Sequence, residues 1–183
     1  MHDLKSFLPN RNIPIFAKRK IPMAQIIILL GGNIGNVKNT FNEAINLLGQ
    51  KLSPPLKCSS IYTSEAWGFE AKEKFFNQII EFNSELPPQD ILEVAQGVEK
   101  TLGRQRNNAT SYQSRPIDID ILFIDNKTIC TENLTIPHPL LHLRRFTMEP
   151  LREHWSKIEH PVLHKNVETL YEQCPDHSLV VKE

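Results

Sequence analysis

Two aspartates separated by one residue, Asp118 and Asp120, stand in the run Arg115-Pro-Ile-Asp-Ile-Asp-Ile-Leu-Phe-Ile124. The alternation of a strand sends Ile117, Ile119, Ile121 and Phe123 to one face, and Asp118, Asp120, Leu122 and Ile124 to the other. The acids then point the same way, with attachment points about 6 to 7 Å apart, close enough to bracket one or two hard cations and leave room for phosphate oxygens. Magnesium suits such a pair, because it keeps waters and takes few protein ligands. A solvated strand face carrying two exposed acids is the plain alternative. Against it, Leu122 and Ile124 continue the acidic face as apolar, which places the acids at the mouth of a cleft. Their mutual repulsion there would raise a pKa, and a bound dication would relieve it. Arg104, Arg106 and Arg115 lie in the polar loop from Gly103 to Pro116 that leads into this strand. Guanidinium forks match phosphate oxygens, so cations beside a metal-binding pair suggest a triphosphate. The loop is also long enough to close over a substrate and exclude water.

These groups need elements to aim them. Ala24 to Leu30 reads as a strand buried on both faces, since it does not alternate. Gly31-Gly-Asn-Ile-Gly35 follows, without the Gly-Lys-Ser/Thr of a phosphate loop or the G-x-G-x-x-G spacing, so it reads as a tight turn that lets backbone approach a ligand or a neighbouring strand. A helix from about Val37 to Leu48 carries an apolar stripe of Val37, Phe41, Ala44, Ile45 and Leu48, with Asn36 as N-cap and Gly49 as stop. Cys58 to Thr63 and Phe75 to Glu85 read as strands, and Pro87-Pro88 opens a helix running to about Leu102. On that helix Ile91, Val94, Ala95, Val98 and Leu102 form the buried stripe, and Leu92, Gln96 and Glu99 a neighbouring line able to edge a polar site. After the acidic strand come extended residues near Leu134 to Ile136, a helical stretch near Leu141 to His154, and a helix near Val167 to Gln173. The irregular order of strands and helices predicts an α+β domain with a mainly antiparallel sheet.

Composition bounds the partners. With 183 residues, one domain is the default. Lys plus Arg total 21 and Asp plus Glu total 21, so no overall field draws the chain to nucleic acid or to an anionic membrane. Cys58, Cys130 and Cys174 show no metal or disulfide spacing, and no apolar run reaches the length of a membrane span, which favours a cytoplasmic setting. Residues 1–22 are basic and rich in proline without a secretory apolar core. They read as a disordered extension or as a start placed upstream of Met23, ahead of a transit-like or nucleic-acid-binding arm. The expected domain then spans 23–175, with a short tail at 176–183.

Taken in order, several motifs resemble one family. They are Leu-Gly-Gly-Asn at 30 to 33, Ser-Ser-Ile-Tyr-Thr-Ser-Glu-Ala-Trp-Gly at 59 to 68, Phe-Phe-Asn-Gln at 75 to 78, and Glu99 with Gly103-Arg104. Ser-Arg-Pro-Ile-Asp-Ile-Asp-Ile-Leu at 114 to 122, Ile-Pro-His-Pro at 136 to 139 and Arg-Arg-Phe at 144 to 146 complete the set. Together they resemble the 6-hydroxymethyl-7,8-dihydropterin pyrophosphokinases of folate biosynthesis. The resemblance implies a ferredoxin-like α/β sandwich with helices on both sides of the sheet, and transfer of the β,γ-pyrophosphoryl unit of ATP to the pterin hydroxymethyl group with release of AMP. It implies that Asp118 and Asp120 hold two magnesium ions, and that Arg104 and Arg115 stabilise the transferred group. It also assigns Leu92, Gln96, Glu99, Arg106, Tyr112, Ile121, Thr135, His138 and Arg144 to the nucleotide. For the pterin it implies Ser64, Trp67, Phe75, Asn77 and Phe146. Here strand geometry agrees, because Phe75 and Asn77 share one face and offer a ring to stack on and an amide to match the pterin edge. Without the resemblance, Phe75 and Phe146 would read as core. A monomer working on small-molecule substrates is expected. Two rivals stand beside this reading. Nucleotidyltransferases also carry an Asp-x-Asp strand, but with the glycine turn shortly before it, and a non-catalytic binding module would usually lack one of Asp118, Asp120, Arg104 or Arg115.

Overall fold

The computed structural model describes residues 22–104 and 114–183. The extension expected before Met23 therefore lies, except for Pro22, outside the described residues, as do Arg106 and Tyr112. Strand β1 (Ala24–Gly32) is the centre of the molecule. Its residues are buried on both sides because each face meets a different helical layer. Ile26, Ile28 and Leu30 pack with Val37, Phe41, Ala44 and Leu48 of helix α1 (Val37–Lys51) and with Ile91, Ala95 and Val98 of helix α2 (Pro88–Thr101). Ile27 and Leu29 pack instead with Met148, Leu151 and Trp155 of helix α3 (Arg145–Trp155), and with Val167 and Leu170 of helix α4 (Val167–Glu172). Each such aliphatic side chain contributes about 1.5–3 kcal/mol relative to exposure, so a strand apolar from Ile26 to Leu30 is stable only as the middle layer of a sandwich.

The sheet is six-stranded and antiparallel, in the order β10 (Val180–Lys182), β3 (Tyr62–Ser64), β4 (Phe75–Ser84), β1, β5 (Asp118–Ile124), with β2 (Lys57–Cys58) also pairing β4. Helices cover both faces, which makes the fold the expected ferredoxin-like α+β sandwich. Two small ribbons lie outside this sheet: β6 (Ile129–Cys130) with β7 (Thr135–Ile136), and β8 (Glu159–His160) with β9 (Lys165–Asn166).

Local chemistry explains where the elements depart from the expected bounds. Asn36 caps α1, its Oδ1 accepting the Asn39 amide at 3.2 Å, but the helix runs through Gly49 and stops only before Ser53-Pro54-Pro55. A glycine permits a stop, whereas consecutive prolines impose one. The single strand expected from Cys58 to Thr63 is split, because the Ser59 hydroxyl, not a backbone carbonyl, accepts the Ile79 amide at 2.9 Å. The helix expected from Leu141 is a 3-10 turn, Leu141–Leu143, and then α3, with Arg144 extended between them. The expected tail contains β10, which pairs Val180 with Ser64 and Lys182 with Tyr62.

The acidic strand also differs in one respect. Its register against β1 pairs Ile27 with Phe123 but Ile28 with Ile121, so Leu122 is an extra residue in a β-bulge. Ile117, Ile119, Ile121 and Ile124 consequently face α1 and α2, while Leu122 and Phe123 face α3 and α4. The alternation expected for Phe123 and Ile124 is thus reversed beyond the bulge. Before it the alternation holds.

Gly32 ends β1 where the chain comes closest to the segment preceding β5. A Cβ there would lie 2.6 Å from the Pro116 carbonyl oxygen, whereas at Gly31 it would meet nothing nearer than Asn77 Oδ1 at 3.6 Å. Gly32→Ala is therefore expected to lower stability by about 1–3 kcal/mol by pushing backbone from backbone. Chemical denaturation measures this, and a variant as stable as the parent would refute the close approach.

Candidate active site

The antiparallel register places functional side chains in rows across the face that α3 and α4 cover. Asn77 of β4, Gly31 of β1 and Asp118 of β5 are in register with one another, and Ile79, Leu29 and Asp120 form the next row. Leu29 and Ile79 belong to the α3/α4 core, so the two aspartates share that face, at the end where the core stops. One pocket there is lined by Leu29, Gly31, Ser64, Glu65, Trp67, Phe69, Phe75, Asn77, Arg115, Asp118, Asp120, Arg144 and Phe146. Both predicted aspartates and all five predicted pterin residues lie on its wall.

Its charged half is organised around the acid pair. Asp118 Oδ2 accepts from Arg115 Nη1 at 2.6 Å, and its Oδ1 accepts from Arg104, which also bonds Glu99. Glu99 is 2% exposed and its Oε1 takes the Ile119 amide at 2.8 Å, so one carboxylate ties α2 both to the acidic strand and to Arg104. Asn33 clamps the other approach. Its Oδ1 accepts the Arg115 amide at 2.9 Å, its amide N–H donates to the Arg115 carbonyl at 3.0 Å, and its Nδ2 donates to Ser114 Oγ at 2.9 Å. Arg104 and Arg115 thus reach Asp118 from two separately anchored segments.

Asp120 has a different environment. Arg144 Nη1 is 3.8 Å from its Oδ2 and His138 Nε2 3.9 Å. Burial first, and then the charge of Asp118, push its carboxyl up to about 7, although Arg144 opposes the shift. His138 is held down at about 4, by burial and then by Arg144. Its ring is therefore neutral near pH 7. Because Nδ1 accepts the Leu140 amide at 3.2 Å, the ring proton sits on Nε2, on the side of Asp120.

The donor set fits a hard dication: carboxylate oxygens on one sheet face, one of them poorly stabilised as an anion. Among the described residues there is no group of three or more His, Cys, Asp or Glu side chains suited to hold a metal. An ion held here would take the rest of its shell from water and phosphate.

The other half of the pocket is aromatic. Phe75 and Asn77 come from β4, and Ser64 from β3, where its Oγ accepts Asn77 Nδ2 at 3.2 Å. Phe69 meets Phe75 edge to face at 5.7 Å. Phe146 rises from the first turn of α3, and the Arg144 guanidinium lies 4.8 Å from the Trp67 ring and 5.7 Å from that of Phe146. The extended Arg144 therefore contacts both halves of the pocket.

Of the predicted nucleotide residues among those described, only Arg144 lines the pocket; Glu99 and His138 stand behind its acid pair, and four others lie farther off. Leu92 and Gln96 are half-buried on α2, Ile121 is 5% exposed in the core beneath α1 and α2, and Thr135 is exposed on β7. They lie toward the α2-facing side and outer edge of β5, not on the face of the aspartates. Residue reasoning missed Asn33 as the clamp on Arg115, and Leu29, Glu65 and Phe69 as pocket wall, whereas Gly31 lies where the glycine turn was expected to let backbone approach a ligand. Only the register of β1 against β5 marks Leu29, whereas an aromatic one residue past Trp67-Gly68 could have been flagged.

Residues 27–156 match the family described as 7,8-dihydro-6-hydroxymethylpterin-pyrophosphokinase. The chain is similar to the 2-amino-4-hydroxy-6-hydroxymethyldihydropteridine pyrophosphokinase of Porphyromonas gingivalis, with 38% identity over 133 residues that cover 72% of this chain and 90% of that protein. A protein of the same name from Bacillus subtilis is 36% identical over 133 residues, covering 72% of this chain and 78% of its own length. In fold, the chain resembles the crystal structure of wild-type HPPK-DHPS from Plasmodium falciparum, with a TM-score of 0.68 at 15% identity. That likeness covers 85% of this chain and 42% of the solved one, so the chain spans about two fifths of it.

Proposed function

This chain belongs to the 7,8-dihydro-6-hydroxymethylpterin-pyrophosphokinase family and is a pyrophosphokinase of folate biosynthesis, and from that footing we propose how its pocket works. ATP is the donor, magnesium the cofactor, and 6-hydroxymethyl-7,8-dihydropterin the acceptor. The pterin hydroxymethyl oxygen attacks the β-phosphorus, the bond from that phosphorus to the α,β-bridging oxygen breaks, AMP leaves with that oxygen, and the hydroxymethyl proton passes to solvent. The observation that carries this reading is that one pocket joins the Asp118/Asp120 pair to the wall of Phe75, Asn77 and Phe146.

In this proposal Asp118 and Asp120 hold two magnesium ions, which when bound neutralise charge on the phosphate oxygens. The bond between Arg115 and Asp118 keeps a guanidinium beside the place where the transferred unit sits, and Arg104 approaches from the α2 side. His138, neutral with its proton on Nε2, donates to a phosphate oxygen without needing to be charged. Arg144 binds phosphate beside Asp120. Leu92, Gln96, Glu99, Ile121 and Thr135, with Arg106 and Tyr112, serve the nucleotide, whose base passes over the edge of β5 to reach them. Ser64, Trp67, Phe75, Asn77 and Phe146 hold the pterin, the amide of Asn77 meeting its hydrogen-bonding edge between stacked rings. The catalytic domain starts near Met23 and runs past the expected boundary at 175 to include β10, and it works as a monomer in the cytoplasm, which the free Cys58, Cys130 and Cys174 suit.

Incubation with ATP, magnesium and the pterin, followed by mass analysis, tests the reaction. AMP and the pterin diphosphate are expected in equal amounts. Formation of free pyrophosphate with a nucleotidylated pterin, or of ADP, would overturn it.

A further inference from the structure

We propose that Glu153 is a positioning residue for the pterin half of the pocket, setting the separation between the strand that carries Ser64 and the helix that carries Phe146; this rests on the pterin assignment above. Both carboxylate oxygens are engaged. Oε2 accepts the Ser60 amide at 2.9 Å and the Tyr62 hydroxyl at 3.1 Å, while Oε1 accepts Ser60 Oγ at 3.0 Å and Lys182 Nζ at 2.9 Å. Ser60 and Tyr62 belong to the stretch entering β3, at whose end Ser64 lines the pocket. Lys182 belongs to β10, the strand that pairs β3 from its outer side.

Helix geometry connects these contacts to the ring. Phe146 and Glu153 are seven residues apart on α3, so they lie on one side of it, two turns from each other. A carboxylate gripping β3 at one end of that face fixes the height of the aromatic wall at the other. The grip is sheltered, since the Glu153 side chain is only 16% exposed. Burial alone would raise its carboxyl, but the bonds from Lys182, Ser60 and Tyr62 hold it at about 2, so it remains a carboxylate throughout the working pH range. None of these donors lines the pocket, and Lys182 lies beyond the residues that match the family. A ring and an amide that must sandwich a flat ligand tolerate little change in spacing, so a shift of one wall against the other weakens their hold on it.

The test is steady-state kinetics on Glu153→Ala, Glu153→Gln and Lys182→Met beside the parent enzyme, varying each substrate in turn. Glu153→Ala is expected to raise the pterin KM about tenfold and to leave the ATP KM within about twofold, because only the pterin walls lose their spacing. Glu153→Gln, which keeps one acceptor oxygen, should recover part of the loss. Lys182→Met should shift the pterin KM in the same direction, by about twofold to threefold. A purely structural residue would lower the thermal midpoint with both KM values unmoved, or raise both together, and either result overturns the proposal. Should Glu153→Ala fail to fold, Tyr62→Phe and Lys182→Met each remove one donor and must still show the pterin-only shift. A parent enzyme that makes no AMP would sink the reaction and this inference with it, whereas AMP from the parent with an unmoved pterin KM in the variants would sink the inference alone.

Discussion

Asp120→Asn is expected to lower turnover at saturating substrates and magnesium by about a thousandfold or more, while making the ligand-free protein more stable than its parent. The first effect follows from the oxygen inventory. Asp118 is bonded by Arg104 and Arg115, so Asp120 is the acid of the pair whose anionic charge is least compensated and most available to a dication. An amide at that position keeps the shape but not the charge, and loss of about 4 kcal/mol of transition-state stabilisation corresponds to a thousandfold. The second effect follows from linkage. The carboxyl titrates at about 7 in the folded protein against an ordinary value of 3.8, so the folded state binds that proton more tightly than the unfolded chain does. For an acid shifted upward, stability is highest at low pH, falls as pH rises from about 4 to 7, and stays low above that. Asparagine carries no such penalty. A gain of about 1–3 kcal/mol at pH 8 without magnesium is therefore expected, closing toward pH 4. Kinetics with matched urea unfolding at the two pH values tests both halves. Asp118→Ala should abolish turnover equally. Full activity in either variant, or a stability loss in Asp120→Asn at pH 8, would refute the assignment of the pair.

Arg115→Ala is expected to reduce kcat by about 10²- to 10⁴-fold with a much smaller change in the KM for either substrate. Arg115 is anchored at both ends of its side chain, Nη1 on Asp118 and the backbone on Asn33 through two hydrogen bonds. A preset cation of this kind is worth most when charge builds on the transferring group, so its removal should show in kcat. Arg115→Lys should recover only part of the rate, because an ammonium cannot serve Asp118 and a phosphate oxygen with one planar fork. A loss confined to KM would mean that Arg115 binds ground state and transition state alike.

The first prediction rests on positions that strand periodicity indicated and the second on an arginine marked by its loop beside them, and both rest on contacts that neither signal showed. Alternation placed Asp118 and Asp120 together, and the structure agrees, because the rule is local and the strand is regular up to Ile121. Two residues later it fails for Phe123 and Ile124. The bulge at Leu122 arises from how β5 registers against β1, a partner far away in the chain. The helices show the same division. The stripes Val37-Phe41-Ala44-Leu48 and Ile91-Ala95-Val98 were readable, because a core-facing helix must repeat its apolar residues every three or four positions. The break at Arg144, which aims that side chain at both Asp120 and the aromatic wall, carries no comparable local mark.

The amino-acid order by itself determined which groups can do chemistry, the direction in which the acid pair points, and the layered α+β architecture, since each depends on residue type and on periodicities of two or three to four. Only the tertiary structure decided that Arg104 and Arg115 converge on Asp118 while Glu99 holds Arg104, and that β10 returns to brace β3. It also decided that Asp120 is the acid of the pair whose carboxyl is raised, and it lowered the His138 ring. Those outcomes depend on distance and burial between segments many residues apart, and hydrogen bonds and desolvation act through space, without regard to separation along the chain.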